Sequence, residues 1–205
     1  MEEPRDQQGN NPFSIKATGI PESFHSFETG APFHKCLVCG INLANSGMPY
    51  FIEKAFRKYP GFKAFDITYE FAMCFNCAES LRNELSTESQ ERMKEYMESR
   101  IDFGKRRDSM SGHDPSNNVE PWLDHCLVTG EPLRDQNEYV LYGYFQGHNM
   151  MVSDFPYAIG PKAMDELTDL LSNKTLGEMD DFMGQYFTGP PEVNELFKPR
   201  RPVLL

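Results

Sequence analysis

The chain has no run of 18 or more apolar residues, so no segment of it reads as a membrane-spanning helix. Its opening, MEEPRDQQGNNPFS, lacks the basic region and apolar stretch of a secretory signal. Positive charge is scarce: 20 Lys and Arg face 31 Asp and Glu, for a net charge of −11, a poor match to a phosphate backbone. No Gly-rich phosphate loop and no G-x-S-x-G nucleophile elbow occur, which removes two common routes to an enzyme. Hydrophobic residues make up only 39%, which leaves room for unpacked segments. What is present is bulky: sixteen Phe and nine Tyr are ample for one or two small cores. There are five cysteines, four of them in two C-x2-C pairs; without an export signal they indicate reduced thiols, metal binding and a cytoplasmic location.

Charge and punctuation divide the chain. Residues 1–33 carry net −3, 34–113 net +1 and 114–205 net −9. Residues 1–32 are polar and aperiodic and read as a flexible arm; 104–121, rich in Gly, Ser, Asp and Pro, reads as a linker. The Pro-interrupted tail, 191–205, cannot be a helix and reads as extended. Two modules remain, 33–103 and 122–190.

These modules repeat one another. KCLVCG at 35–40 and HCLVTG at 125–130 align at an offset of 90, with Leu43 matching Leu133. Further on the offset is 86: Phe71 matches Tyr157, Leu81 matches Leu167, Ser86 matches Ser172, and Met93 and Met97 match Met179 and Met183. Each copy reads as a knuckle, two strand-forming stretches and two helices, an α+β layout. Pro161 suits a first helical position, and capping-box spacings start later helices at Thr87 with Gln90 and at Thr175 with Glu178. The Met and aromatic stripes on those helices are core, and their shared faces predict that the copies pack together.

Cys36, Cys39, Cys74 and Cys77 form two C-x2-C pairs separated by 34 residues. Four thiolates suit tetrahedral zinc, and such a site is closed, so the expected role is structural, with one ion per chain. Gly40 permits the tight turn after the first pair. The second pair opens a helix, whose free N–H groups and dipole favour thiolate. Knuckle, hairpin and helix-borne second pair resemble the treble-clef type of zinc finger, or a zinc ribbon, over residues 34–86. The resemblance implies a metal site and leaves the task open among structural, protein-binding, nucleic-acid-binding and nuclease uses. A rubredoxin-like iron site expects Gly after each pair, and Ala78 follows Cys77; a thioredoxin-like pair expects a βαβ setting.

The second copy keeps Cys126 but has Thr129, Gly160 and Ala163 where the first has Cys39, Cys74 and Cys77, and so reads as metal-free. A metal-dependent hydrolase at His125, Cys126 and His148 is the weakest alternative, because the order of groups is wrong for a nuclease. Asp165, Glu166 and Asp169 read as a solvated helix face. The one basic patch with interleaved aromatics is 53–63: Lys54, Arg57, Lys58 and Lys63 with Phe56, Tyr59 and Phe62. It fits single-stranded nucleic acid by stacking and charge; a hairpin whose charges face water is as simple a reading, and the overall charge favours docking to the acidic second module or to a partner. The reading is a non-enzymatic zinc protein that works through protein contacts, with nucleic-acid binding by 53–63 as the alternative.

Overall fold

A computed structural model describes residues 16–187 except 60, 62, 63 and 112–117. Residues 1–15, the tail 191–205 and the middle of the expected linker lie outside the described residues. The fold is α+β: the described residues form one six-stranded antiparallel sheet and five α-helices. The strands are β1 (Lys16–Gly19), β2 (Pro49–Lys58), β3 (Phe65–Cys74), β4 (Glu138–Gln146), β5 (Asn149–Val152) and β6 (Tyr157–Ile159). The helices are α1 (Phe75–Glu84), α2 (Thr87–Arg100), α3 (Phe103–Ser111), α4 (Pro161–Asp169) and α5 (Asn173–Tyr186). Among the described residues, no helix is long and apolar enough to cross a membrane.

The sheet crosses from one half of the chain to the other. Its order is β1-β5-β4-β2-β3, with β6 also paired to β4. β2 pairs with β4 from Pro49↔Gln146 to Arg57↔Glu138, so the stretches 33–103 and 122–190 share one continuous sheet. The reason is that β2 and β4 are both rich in aromatic and β-branched residues, and each would otherwise offer a long unpaired edge. Alternation sends Tyr50, Ile52 and Lys54 to one face of the sheet, and Phe51 and Glu53 to the other.

Much of the supposed arm and linker is built into this body. β1 pairs with β5, and Phe24 is fully buried with its ring 5.3 Å from that of Phe145. The chain then reaches β3, where Ser26 Oγ and the Phe27 N–H both donate to Glu70. Glu70 in turn pairs with Lys54 at 3.1 Å, so the arm completes a nearly buried ion pair. The expected linker begins with α3, because the Asp102 carboxylate accepts from the Lys105 N–H and caps it. Met110 is buried, and the Arg106 guanidinium donates to the carbonyls of Asp154 and Pro156.

The caps of α2 and of α5 lie one and three residues before the expected Thr87 and Thr175. Ser86 and Ser172 are the caps, accepting from the N–H of Ser89 and of Thr175. Each cap is also bound by the other helix. Ser86 N–H donates to Thr175 Oγ1 (3.0 Å), Ser172 N–H donates to Ser89 Oγ (2.8 Å), and the two cap hydroxyls lie 2.8 Å apart. Ser89 and Thr175 are fully buried, so each polar atom of this crossing is satisfied by its counterpart. Glu166 is not merely solvated: it accepts from Tyr96 (2.7 Å) and pairs with Arg100 (3.0 Å), tying α4 to α2.

Gly143 marks the tightest approach in the sheet. A Cβ there would lie 2.5 Å from the Phe145 ring and 2.9 Å from that of Phe24, both fully buried. Gly143→Ala is expected to cost about 1–3 kcal/mol through overpacking, read as a lower urea midpoint at unchanged m-value.

Candidate metal centre

The first C-x2-C pair sits on a knuckle. The Gly40 N–H donates to the Cys36 carbonyl at 3.0 Å, and Gly40 has φ of 71°, the left-handed turn for which glycine was expected. Cys36 N–H donates to the Ile41 carbonyl, closing the loop, and Leu37 N–H donates to the Ala72 carbonyl, which docks the knuckle on β3. Cys74 is the last residue of β3 and the N-cap of α1; Cys77 lies in the first turn. The hairpin β2–β3 therefore carries the second pair back to the first.

The four sulfurs all lie within 4.8 Å of one another, with Cys39 and Cys74 at 3.8 Å. A tetrahedron with zinc–sulfur bonds of about 2.3 Å has edges of about 3.8 Å, so the spacing fits one ion. Cys36 and Cys74 are buried, Cys77 is half-buried and Cys39 is exposed. Among the described residues these four form the one group of three or more such side chains close enough to share an ion.

The electrostatics depart from the helix-dipole expectation. Burial pushes the Cys36 thiol up, but N–H groups of Cys39, Cys74 and Val38 outweigh it and bring its pKa down to about 7. Cys74 and Cys77 go the other way: burial raises both, and for Cys77 the thiols of Cys74 and Cys39 and the charge on Cys36 add to it. The helix start does not by itself yield thiolates there. Four crowded sulfurs can ionise together only against a cation.

Beside Cys126 the backbone follows the same course. Cys126 N–H donates to the Glu131 carbonyl, Gly130 N–H to the Cys126 carbonyl and Leu127 N–H to the Ala158 carbonyl, and Gly130 has φ of 70°. The ligand positions, however, are filled differently. Gly160 faces Cys126 at ordinary van der Waals range, where a Cβ would lie 3.5 Å from the Cys126 Cβ, and Ala163 is fully buried. Thr129 Oγ1 accepts from the Glu131 N–H. His125 is exposed and bonded to Asp124, and His148 is exposed at the β4–β5 turn. His125, Cys126 and His148 are not brought together as a metal group.

The basic patch is drawn inward. Lys54 pairs with Glu70, Arg57 with Glu138 at 2.9 Å, and Lys58 donates to the Leu133 carbonyl while lying 4.9 Å from the Tyr139 ring centre. Phe56 stacks on Tyr139 at 4.8 Å. Three of the four cations thus serve the fold, two of them by contacts to the second half; Phe62 and Lys63 lie outside the described residues. Sequence reasoning missed the crossed caps and the burial of Glu53, which reads beside Lys54 as one more hairpin charge.

No family model, no curated protein and no solved structure matches this chain.

The purified chain is expected to carry one zinc ion. Cys74→Ser should lose it together with about 10–16 kcal/mol of apparent binding energy, and the knuckle and α1 should unfold, read by metal analysis and hydrogen exchange. Cys126→Ala should leave the zinc content unchanged.

Proposed function

We propose that this is a non-enzymatic protein of a reducing compartment, built as a treble-clef-like zinc module and a second copy that has exchanged its ion for packing. In this reading zinc is structural, and the work is done by binding another protein. The closed set of four sulfurs supports the structural role, since it leaves no position for water or substrate. The recurring offsets of 90 and 86, and the repeated knuckle hydrogen bonds at Cys36 and Cys126, support duplication.

One feature beside the metal centre indicates the kind of partner. A cleft of about 360 Å³ between α1 and α5 is walled by Val38, Leu81, Phe182 and Tyr186. Among the described residues, its ionisable side chains other than Cys77 and Tyr186 are all acidic: Glu84, Glu178 and Asp181. An apolar floor with an acid-only rim suits a basic peptide segment bearing bulky apolar side chains. The alternative, nucleic acid held by residues 53–63, has lost its main asset, because Lys54, Arg57 and Lys58 are engaged within the fold.

The test compares the tagged full-length chain with a Glu178→Lys/Asp181→Lys variant, both zinc-loaded and folded, in recovery from the source cells. A protein held by the parent and lost from the variant supports this reading. Identical recovery with both contradicts it, and a shift of a single-stranded oligonucleotide at low salt would favour the alternative.

A further inference from the structure

Positive charge is scarce in this chain, yet its longest unbroken basic run, Lys105-Arg106-Arg107, stands directly before Asp108, Ser109 and Met110. Ser109 therefore has arginine two and three positions before it and a bulky apolar residue after it. It is the one serine or threonine of the whole sequence with Lys or Arg three positions before it. A basophilic serine kinase reads this pattern: acidic groups of the enzyme pair with the two guanidinium groups, and an apolar pocket takes the following side chain.

The structure places the pattern on α3, with Ser109 exposed in the last turn. Its Oγ donates to the Arg106 carbonyl at 2.8 Å, and Met110 beside it is buried. The Arg106 guanidinium donates to the carbonyls of Asp154 (3.1 Å) and Pro156 (2.5 Å), and Arg107 Nε lies 3.6 Å from the Asp154 carboxylate. The two arginines of the pattern are thus also polar ties between α3 and the segment that leads into β6. A kinase takes its substrate extended, so α3 must unwind to be read. It is suited to that: nine residues are too few to hold a helix alone, and Phe103 and Met110 are its two bulky apolar residues.

We infer that Ser109 is a phosphorylation site for a basophilic serine kinase, and that its phosphate releases α3 from segment 154–156. In the transfer the Ser109 oxygen bonds to the γ-phosphorus of ATP, the bond from that phosphorus to the β–γ bridging oxygen breaks, ADP leaves, and the hydroxyl proton passes to the kinase's base. The product brings a charge of about −1.5 to −2. In the last turn of a helix that charge opposes the dipole, and it stands next to Asp108. Its oxygens also compete for Arg106 and Arg107 with the carbonyls and the carboxylate that hold them in the folded form. Both effects favour the unwound segment. Release takes Phe103 from the wall of a cavity of about 280 Å³ that Met93, Met97, Phe155 and Tyr157 also line, so apolar surface on α2 is uncovered. None of these residues belongs to the four-cysteine group, and the site is independent of the metal reading.

The test incubates the purified full-length chain with Mg-ATP and the catalytic subunit of cAMP-dependent protein kinase, a basophilic serine kinase. Peptide mass mapping and amide hydrogen exchange follow the product. One phosphate per chain on Ser109 is expected, and none on Ser109→Ala, which keeps a good helix former in place. Arg107→Ala should lower kcat/KM about tenfold or more through the loss of one charge-assisted pair. Exchange across Phe103–Ser111 should quicken about tenfold or more after phosphorylation, and a phosphatase should restore it. No phosphate on Ser109, phosphate spread over other serines, kinetics unchanged by Arg107→Ala, or unchanged exchange in α3 of the phosphorylated chain overturns the proposal.

Discussion

Four sulfurs within 4.8 Å of one another form the constraint on which the first half of this chain depends. Such a cluster resists ionising alone: the Cys36 thiol is brought to about 7, and those of Cys74 and Cys77 are pushed upward. A divalent ion reverses that balance, and the geometry that receives it is set by backbone rather than by long side chains. The knuckle closes through Gly40, the pair on α1 arrives at the end of β3, and the Leu37–Ala72 hydrogen bond fixes one against the other. Because β3 hangs on β2, and β2 on β4, anything that holds the cluster also holds the central sheet.

The second half reaches a similar backbone course without the cluster. Where the first half has cysteines, it has Gly160 against Cys126 and a fully buried Ala163. It also leans on its neighbour. β4 takes β2 as a partner, Glu138 takes Arg57, and the caps of α2 and α5 satisfy each other's N–H groups. The half that carries the four-cysteine cluster and the half around Cys126 share one sheet and one polar crossing.

The clustering of the four cysteines, the strand pair around it, the helix at the second pair and the α+β class were legible in the sequence, because each leaves a local mark: a spacing, a turn glycine, a strand-forming run. The arm and the linker were misread where composition outvoted single residues. Phe24 was one aromatic among polar neighbours, yet it is fully buried, and Asp102 three residues ahead of Lys105 was a cap hidden in a run of charges. The continuous sheet was beyond local reading, since the pairing of β2 with β4 joins residues some 90 positions apart. Glu53 was hidden for a related reason: only register shows that the strand turns it toward Tyr69 and Tyr142 rather than toward water.

The proposed structural role of an ion at the four cysteines rests on that centre being closed. X-ray absorption at the zinc edge of the purified chain measures this directly. The account predicts four sulfur neighbours at about 2.3 Å and no lighter ligand. Three or fewer sulfurs with a nitrogen or oxygen neighbour at about 2.0–2.2 Å would contradict it, because the site would then hold an open or exchangeable position.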